Sequence, residues 1–483
     1  MKELFAFTPL VLAFSLLVFP GIVAVSGGQQ QEPSPLTQQS SPQAFRGTTD
    51  PVPILNTSQL EIELVTEGLA LPTSMAFIGN QDDLLILEKS GNVILLSIEN
   101  KTEITIGNFT VNQMSERGLL GVGVLTINTS NAETETATAP GNNNSMITSR
   151  ESPRSNATAT TTMTSSSSLP SPATTSVFFY LTEASKGNSS EVLGNRIYRF
   201  DWNDTDQSLS NGTLILDLPV LPGPNHNGGK LIVDSEKGHI YAVIGDLNRN
   251  GLVQNIKNGS LPDYTSAILR INPDGSPAQG NPFLNVSSIN ASYANLSKYY
   301  AYGIRNSFGL AIDPVTGILW DTENGRLGFD EINIVRPGFN SGWEKVMGPA
   351  ERRNVTAVTD LVNFERSSSY ADPVFSWARA VGVTDIEFYN SDRLGNNYTN
   401  HIFVGDFNNG NLYFFEVNED GSGLVLENPR LADDLVASND RQTAAVIFGT
   451  GFMAGITDIE TGSDGYLYIL TYSGKLYRIV PQR

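Results

Sequence analysis

Cysteine is absent from the 483 residues, which excludes disulfides, thiolate catalysis and cysteine-type zinc or iron–sulfur sites together. A chain this long can bury enough surface to fold without disulfides, so their absence does not exclude export. Histidine is nearly absent, with 3 copies, so imidazole chemistry has few places to reside. Positive charge is also scarce: 30 Lys and Arg stand against 50 Asp and Glu, a formal net charge of −20. That balance argues against a nucleic-acid backbone or an anionic membrane surface as partner and favours uncharged or cationic ligands. Only one hydrophobic run approaches a membrane span, Leu4 to Val25, broken by Pro9 and Pro20 and ending in Ala24, Val25, Ser26 and Gly27. Residues 1–26 therefore read as a secretory signal peptide or a membrane anchor, and the protein as exported, extracellular, periplasmic or at the cell surface. Residues 27–52, rich in Gln, Ser and Pro, read as a flexible linker.

What is plentiful is turn chemistry, with 44 Gly and 25 Pro, pointing to an all-β chain rather than long helices. A pair of short β-rich runs joined by a polar turn recurs at residues 83–96, 177–200, 239–246 with 267–271, 318–335, 401–417 and 466–480. The copies lie roughly 60 to 90 residues apart, and setting residues 129–176 aside brings the longest interval into the range of a decorated four-stranded blade. That stretch is dominated by Ser, Thr, Asn and Ala, and reads as a disordered, low-complexity surface insertion. Six decorated four-stranded units make a six-bladed β-propeller over residues 53–483, with the early strand at Leu60 expected to pair with the last unit and close the ring. A sandwich lacks this repeated unit and a solenoid has a shorter period.

Propellers bind ligands where loops converge at the mouth of the central channel. His239 and His401 begin apolar runs in equivalent repeat positions and read as structural. His226 instead lies in the loop Pro224-Asn225-His226-Asn227-Gly228-Gly229, whose glycines allow a ligand close to the backbone, although a lone loop histidine is more often a surface residue. A second cluster comprises Arg305-Asn306, Glu323-Asn324-Gly325-Arg326, Asp330-Glu331 and Asn340-Ser341-Gly342-Trp343. Carboxylates beside a glycine-containing loop suit a hard cation such as calcium, and suit an ordinary charged hairpin equally well.

In order along the chain, Gly118-Leu119-Leu120-Gly121, His226-Asn227-Gly228-Gly229-Lys230-Leu231, Tyr302-Gly303-Ile304-Arg305-Asn306, Glu323-Asn324-Gly325 and Asn340-Ser341-Gly342-Trp343 resemble motifs of the soluble PQQ-dependent glucose/sorbosone (aldose sugar) dehydrogenases. The similarity runs from about Leu69 to Arg478. The resemblance implies an enzyme that oxidises an aldose to its lactone with PQQ and calcium (Ca2+) and passes electrons to an external acceptor. It implies that His226 is the general base and that Glu116, Arg305, Asn306 and Trp343 contact cofactor or substrate. The carbonyls of Gly325 and Arg326 would hold the calcium beneath PQQ, and Glu331 and Ser341 a second one. Asn225 stands where some members have an Asp that orients the histidine. The family's cofactor-pairing arginines from its fifth and sixth units are missing here, the segments reading Asp406-Phe407-Asn408-Asn409 and Gly455-Ile456-Thr457-Asp458, so Arg379 is the expected substitute. Those absences leave a second reading, a non-catalytic, calcium-stabilised propeller that binds carbohydrate or protein. A calcium-dependent lactonase has no motif behind it.

Overall fold

The computed structural model describes residues 52–79, 83–127, 174–251, 254–256, 259, 261–353 and 355–483. The signal or anchor and nearly all of the linker lie outside these residues, as does most of the insertion. Its expected last residues, Thr174 to Ser176, instead begin the strand Thr174–Ser185, because they pair with Leu125, Thr126 and Ile127 across an antiparallel ladder. Among the described residues no helix is long and apolar enough to cross a membrane.

The strands form an all-β propeller of antiparallel sheets. The first sheet is Pro72–Ile78, Asp83–Glu88, Asn92–Ser97 and Thr102–Asn108, and the second Leu119–Ile127, Thr174–Ser185, Asn188–Asn203 and Ser208–Leu218. The third runs through Leu231–Asp234, His239–Ile244, Ala267–Ile271 and Tyr299–Tyr302, and the fourth through Ser307–Ile312, Leu319–Glu323, Asp330–Val335 and Phe375–Trp377. The fifth takes Val383–Tyr389, His401–Asp406, Asn411–Val417 and Ile447–Thr450, and the sixth Ile456–Thr461, Leu467–Thr471, Lys475–Pro481 and, returning from the start of the domain, Leu60–Glu67. Each expected strand pair falls in one of these sheets, and Leu60 pairs with Pro481 as the early strand was expected to do.

The first strand of each sheet touches the first strand of the next, and that of the sixth touches that of the first. Packing follows strand alternation, in which successive side chains point to opposite faces. In the strand Asp83–Glu88, Leu85 and Leu87 join Val177 and Phe179 of the second sheet, whereas Leu84 and Ile86 join Tyr468 and Leu470 of the sixth. Sheets covered on both faces need the near-continuous apolar runs seen in the sequence.

At the ring of first strands apolar packing gives way to charge. Lys230 Nζ donates to Asp385 Oδ2 at 2.9 Å and Asp458 Oδ1 at 2.6 Å, with Glu460 at 3.9 Å. Thr461 donates to Glu387 through its backbone N at 3.0 Å and its hydroxyl at 2.7 Å. Burial alone would lower the Lys230 pKa, but Asp385, Asp458 and Glu460 outweigh it and raise it well above the ordinary range. Burial raises Asp385 and Glu460 and lifts Glu387 to about 7, while Lys230 holds Asp458 low against its own burial. A carboxyl with a raised folded pKa binds a proton on folding, so its stabilisation is lost as pH rises, for Glu387 between its ordinary 4.5 and about 7. Asp458 acts oppositely, but only below the ordinary carboxyl range. Chemical denaturation should therefore show stability falling from pH 5 to pH 8. Glu387→Gln, which keeps the acceptor for Thr461, should remove on the order of 1–2 kcal/mol of that fall. An identical pH slope in both proteins would refute the assignment.

Candidate active site

In an antiparallel four-stranded sheet, the loop entering the first strand and the turn between the second and third strands lie at the same end. Applied to each sheet, this rule gathers Lys89, Glu116, His226, Asp246, Arg305, Asn324 to Phe329, Arg379 and Phe407 to Gly410 at one end of the ring. The sequence-selected residues thus share one mouth, although they span more than half of the chain.

His226 adopts a left-handed backbone, φ 60°, which is strained for a residue with a Cβ. Three contacts fix it. Its backbone N donates to Glu116 Oε2 at 2.6 Å, its Nδ1 lies 2.5 Å from Asp246 Oδ1, and its carbonyl accepts from Leu247 N at 3.4 Å. Close approach of the two loops requires Gly245, where a Cβ would sit 2.7 Å from the His226 carbonyl oxygen and 2.5 Å from that of Arg305. The imidazole is 11% exposed, enough for one edge to meet a ligand.

Asp246 is fully buried and accepts from every side: Asn248 N at 3.0 Å on Oδ1, and Trp343 Nε1 at 2.8 Å and Gly251 N at 3.1 Å on Oδ2. Burial would raise its pKa, but the bonds from His226, Trp343 and Gly251 overcome this and hold the carboxyl below its ordinary value. It is therefore ionised across the neutral range and can only accept, which puts the proton on Nδ1 of His226 and leaves the Nε2 lone pair free. The resemblance puts an orienting Asp of some family members at position 225, where this chain has Asn. Asn225 instead turns its Oδ1 to the Ser115 hydroxyl. The signal for Asp246 was available, a carboxylate directly following the apolar strand His239–Ile244 and Gly245, but it carries no motif of its own.

Arg305 and Asn306 enter from the next loop. Asn306 Nδ2 donates to Glu116 Oε2 at 3.2 Å, so Glu116 links both loops. The Arg305 guanidinium lies 5.5 Å from the Trp343 ring centroid and donates to the Asn324 carbonyl at 2.8 Å. Among the described residues its buried Nε has no hydrogen-bond partner.

Behind Arg305 lies a carboxylate cluster. Strand register sets Glu323 directly opposite Glu331, and Asp321 opposite Asn333. Glu323 accepts from Arg305 N at 2.6 Å and Ser341 Oγ at 2.5 Å, and Glu331 from Gly348 N. Among the described residues no donor completes a well-formed hydrogen bond to either oxygen of the fully buried Asp321, although Asn333 and Ser307 stand close enough to oppose the effect of its burial. Like charges face to face are unfavourable, and burial with mutual repulsion raises Asp321 and Glu331 well above the ordinary carboxyl range and Glu323 to about 7. The set needs protons or a cation. Among the described residues, no three such groups are drawn together at coordinating distance. Gly325 is buried and donates its N to Asp330 Oδ1 at 2.9 Å, while Arg326 is exposed.

Three expected roles fare differently. His401 is structural, its Nδ1 accepting from Val417 N at 3.1 Å, and His239 begins its strand as expected. Arg379 is 84% exposed and rests 3.3 Å from the equally exposed Asp440, so its side chain turns to solvent rather than into the cluster. The loop of the fifth sheet presents Phe407, 40% exposed and edge-on to Tyr472 at 5.4 Å, with Asn409 bound to Asp406.

The model of the Glucose / Sorbosone dehydrogenase family matches residues 147–478, more than half of the chain. The chain belongs to the glucose/sorbosone dehydrogenase family. Aldose sugar dehydrogenase YliI of Escherichia coli is 29% identical over 281 residues, 56% of this chain and 64% of that protein. The match to this family member therefore spans slightly less than two thirds of its length. Quinoprotein glucose dehydrogenase B of Acinetobacter calcoaceticus is 32% identical over 175 residues, 30% of this chain and 34% of that protein. Among solved structures, the apo form of the soluble E. coli aldose sugar dehydrogenase matches with a TM-score of 0.58 at 21% identity, covering 88% of this chain and 100% of that one. The PQQ-bound aldose sugar dehydrogenase of Streptomyces coelicolor matches with a TM-score of 0.57 at 19% identity, covering 88% and 99%. At these identities the structural matches speak for the propeller fold.

Proposed function

We propose that this family member is an exported, six-bladed quinoprotein, each sheet one blade, that oxidises an aldose to its lactone using PQQ and calcium and passes electrons to an external acceptor. The observation that carries the reading is His226 held by the buried Asp246 on the mouth that also holds Arg305 against Trp343. The unpartnered Nε of Arg305 suits an anionic quinone, and the buried, mutually repelling carboxyls of Glu323 and Glu331, with Asp321 two residues along the same strand, suit a hard cation. Arg305, Asn306, Glu116 and Trp343 would hold PQQ, the Gly325 and Arg326 carbonyls the calcium beside it, and Glu331 with Ser341 a second calcium. When bound, PQQ supplies the acceptor for the anomeric hydride and calcium the Lewis acid that polarises it. His226 Nε2 takes the proton of the anomeric hydroxyl, so the sugar loses a hydride and a proton and becomes the lactone. Asp246 holds the ring for that transfer and stabilises the imidazolium that forms. Arg305 fixes a positive charge where negative charge develops.

The test is titration of purified protein with PQQ and calcium, followed by aldose. A quinone absorption band that the sugar bleaches is the expected result. Saturating calcium should raise the melting temperature by several degrees and chelator should reverse this, since a cation bound only by the folded state stabilises it. A melting temperature indifferent to both would count against the calcium sites. The loop bearing Phe407 and Asn408, without a cation, favours the second reading, a calcium-stabilised propeller that binds carbohydrate or protein without turnover. Stable protein that takes up calcium but no PQQ would establish it.

A further inference from the structure

If the site holds an anionic quinone as proposed above, the positive charge beyond Arg305 has to come from somewhere other than the fifth and sixth sheets. Arg117 is buried against the Val220 carbonyl, Arg249 is engaged by Asp263, Arg326 is exposed, and Arg379 rests on Asp440 in solvent. Lys89 is different. It stands in the turn between the strands Asp83–Glu88 and Asn92–Ser97, and its side chain lies across the loop that carries Glu116. Gly118 makes room for it, since a Cβ there would sit 2.7 Å from Lys89 Cγ. Lys89 Nζ donates to the Ser115 carbonyl at 2.5 Å, and an ammonium has further donors to offer. Glu116 acts electrostatically on both Lys89 and Arg305, and the same carboxylate binds His226 N and Asn306 Nδ2. Lys89 therefore belongs to the mouth although no motif marks it. Burial lowers its pKa and Glu116 opposes this, the balance of a partly desolvated cation beside one carboxylate.

We propose that Lys89 is a binding residue of this site, its ammonium pairing with a carboxylate of the cofactor on the Glu116 side of the mouth. PQQ is a tricarboxylate, so the pairing can be separated from general loop support by a probe in which those carboxylates are esterified. Binding of PQQ and of its trimethyl ester to apo-protein in calcium would be followed by quenching of tryptophan fluorescence, for wild type, Lys89→Gln and Lys89→Arg. Gln retains a donor for the Ser115 carbonyl but no charge, and Arg retains the charge. Lys89→Gln should raise the Kd for PQQ about 10- to 100-fold, the usual worth of a hydrogen bond to a charged group, and flatten its dependence on salt. Lys89→Arg should stay within about 3-fold of wild type, and the ester should bind Lys89→Gln and wild type alike. Unchanged PQQ affinity in Lys89→Gln, or equal losses for PQQ and its ester, overturns the proposal while leaving the quinoprotein reading intact. Wild type that binds no PQQ overturns that reading and this proposal with it.

Discussion

Replacing His226 by Ala should lower the aldose-dependent reduction of a dye acceptor by roughly 10² to 10⁴, with PQQ affinity changed little. The expectation follows from position. His226 is the histidine placed at the mouth, its backbone strained and its Nδ1 committed to Asp246, so the remaining nitrogen is a directed base. Its backbone N, which holds Glu116, survives the substitution, so the loop and the cofactor contacts should persist. Arg305→Ala makes the contrast, since its guanidinium meets both the indole and the Asn324 carbonyl and its loss should weaken cofactor binding as well as rate. Rates are best read by stopped flow at saturating PQQ and calcium with several aldoses. Equal turnover by wild type and His226→Ala would move the proton transfer elsewhere and remove the main support for the dehydrogenase reading.

The sequence disclosed the repeat and its strand pairs because each sheet is covered on both faces, which writes apolar runs such as 84–87 and 177–181 into the chain. It also disclosed which loops meet at one end of the ring, since the glycines at 228, 229 and 303 and the residues beside them stand in recognisable order. Side-chain partnership was much less legible. Position 225 holds an orienting Asp in some family members, whereas here Asn225 turns its Oδ1 to the Ser115 hydroxyl. The partner of His226 arrives from 20 residues downstream, brought by a strand pairing that no local pattern announces. For Arg379 the loop reaches the correct end of the ring, but its exposed side chain rests beside Asp440 in solvent, a direction no sequence pattern announces. Lys89 reads as an ordinary turn lysine until Gly118 and Ser115 are seen beneath it. Glu323 and Glu331 are legible in the sequence as part of a charged hairpin, Asp321 is not, and only the register Glu323 to Glu331 makes them a problem of buried like charge.

Asp246→Asn should lower turnover by about 10² to 10³ at unchanged fold, although Asp246 is a positioning residue and touches neither sugar nor cofactor. The carboxylate is surrounded by donors, with His226 and Asn248 on Oδ1 and Trp343 and Gly251 on Oδ2. An amide has one acceptor oxygen and one donor NH2, so it cannot satisfy both sides. If the oxygen faces His226, the NH2 confronts the Trp343 and Gly251 N–H groups and the indole beside Arg305 is released. If the NH2 faces His226, Nδ1 has to accept, the ring proton moves to Nε2, and the nitrogen that faced the sugar is no longer a base. Either arrangement disables the site, and they leave different traces. The first should shift the tryptophan emission and raise the PQQ Kd, whereas the second should leave both unchanged and lower kcat alone. Asp246→Glu, which keeps the charge and displaces it by one methylene, should recover part of the rate if orientation and charge act together. Asp246→Asn that retains wild-type kcat with a normal pH profile would show that the His226 ring is held by its own loop, and would reduce the Asp246 contact to a structural one.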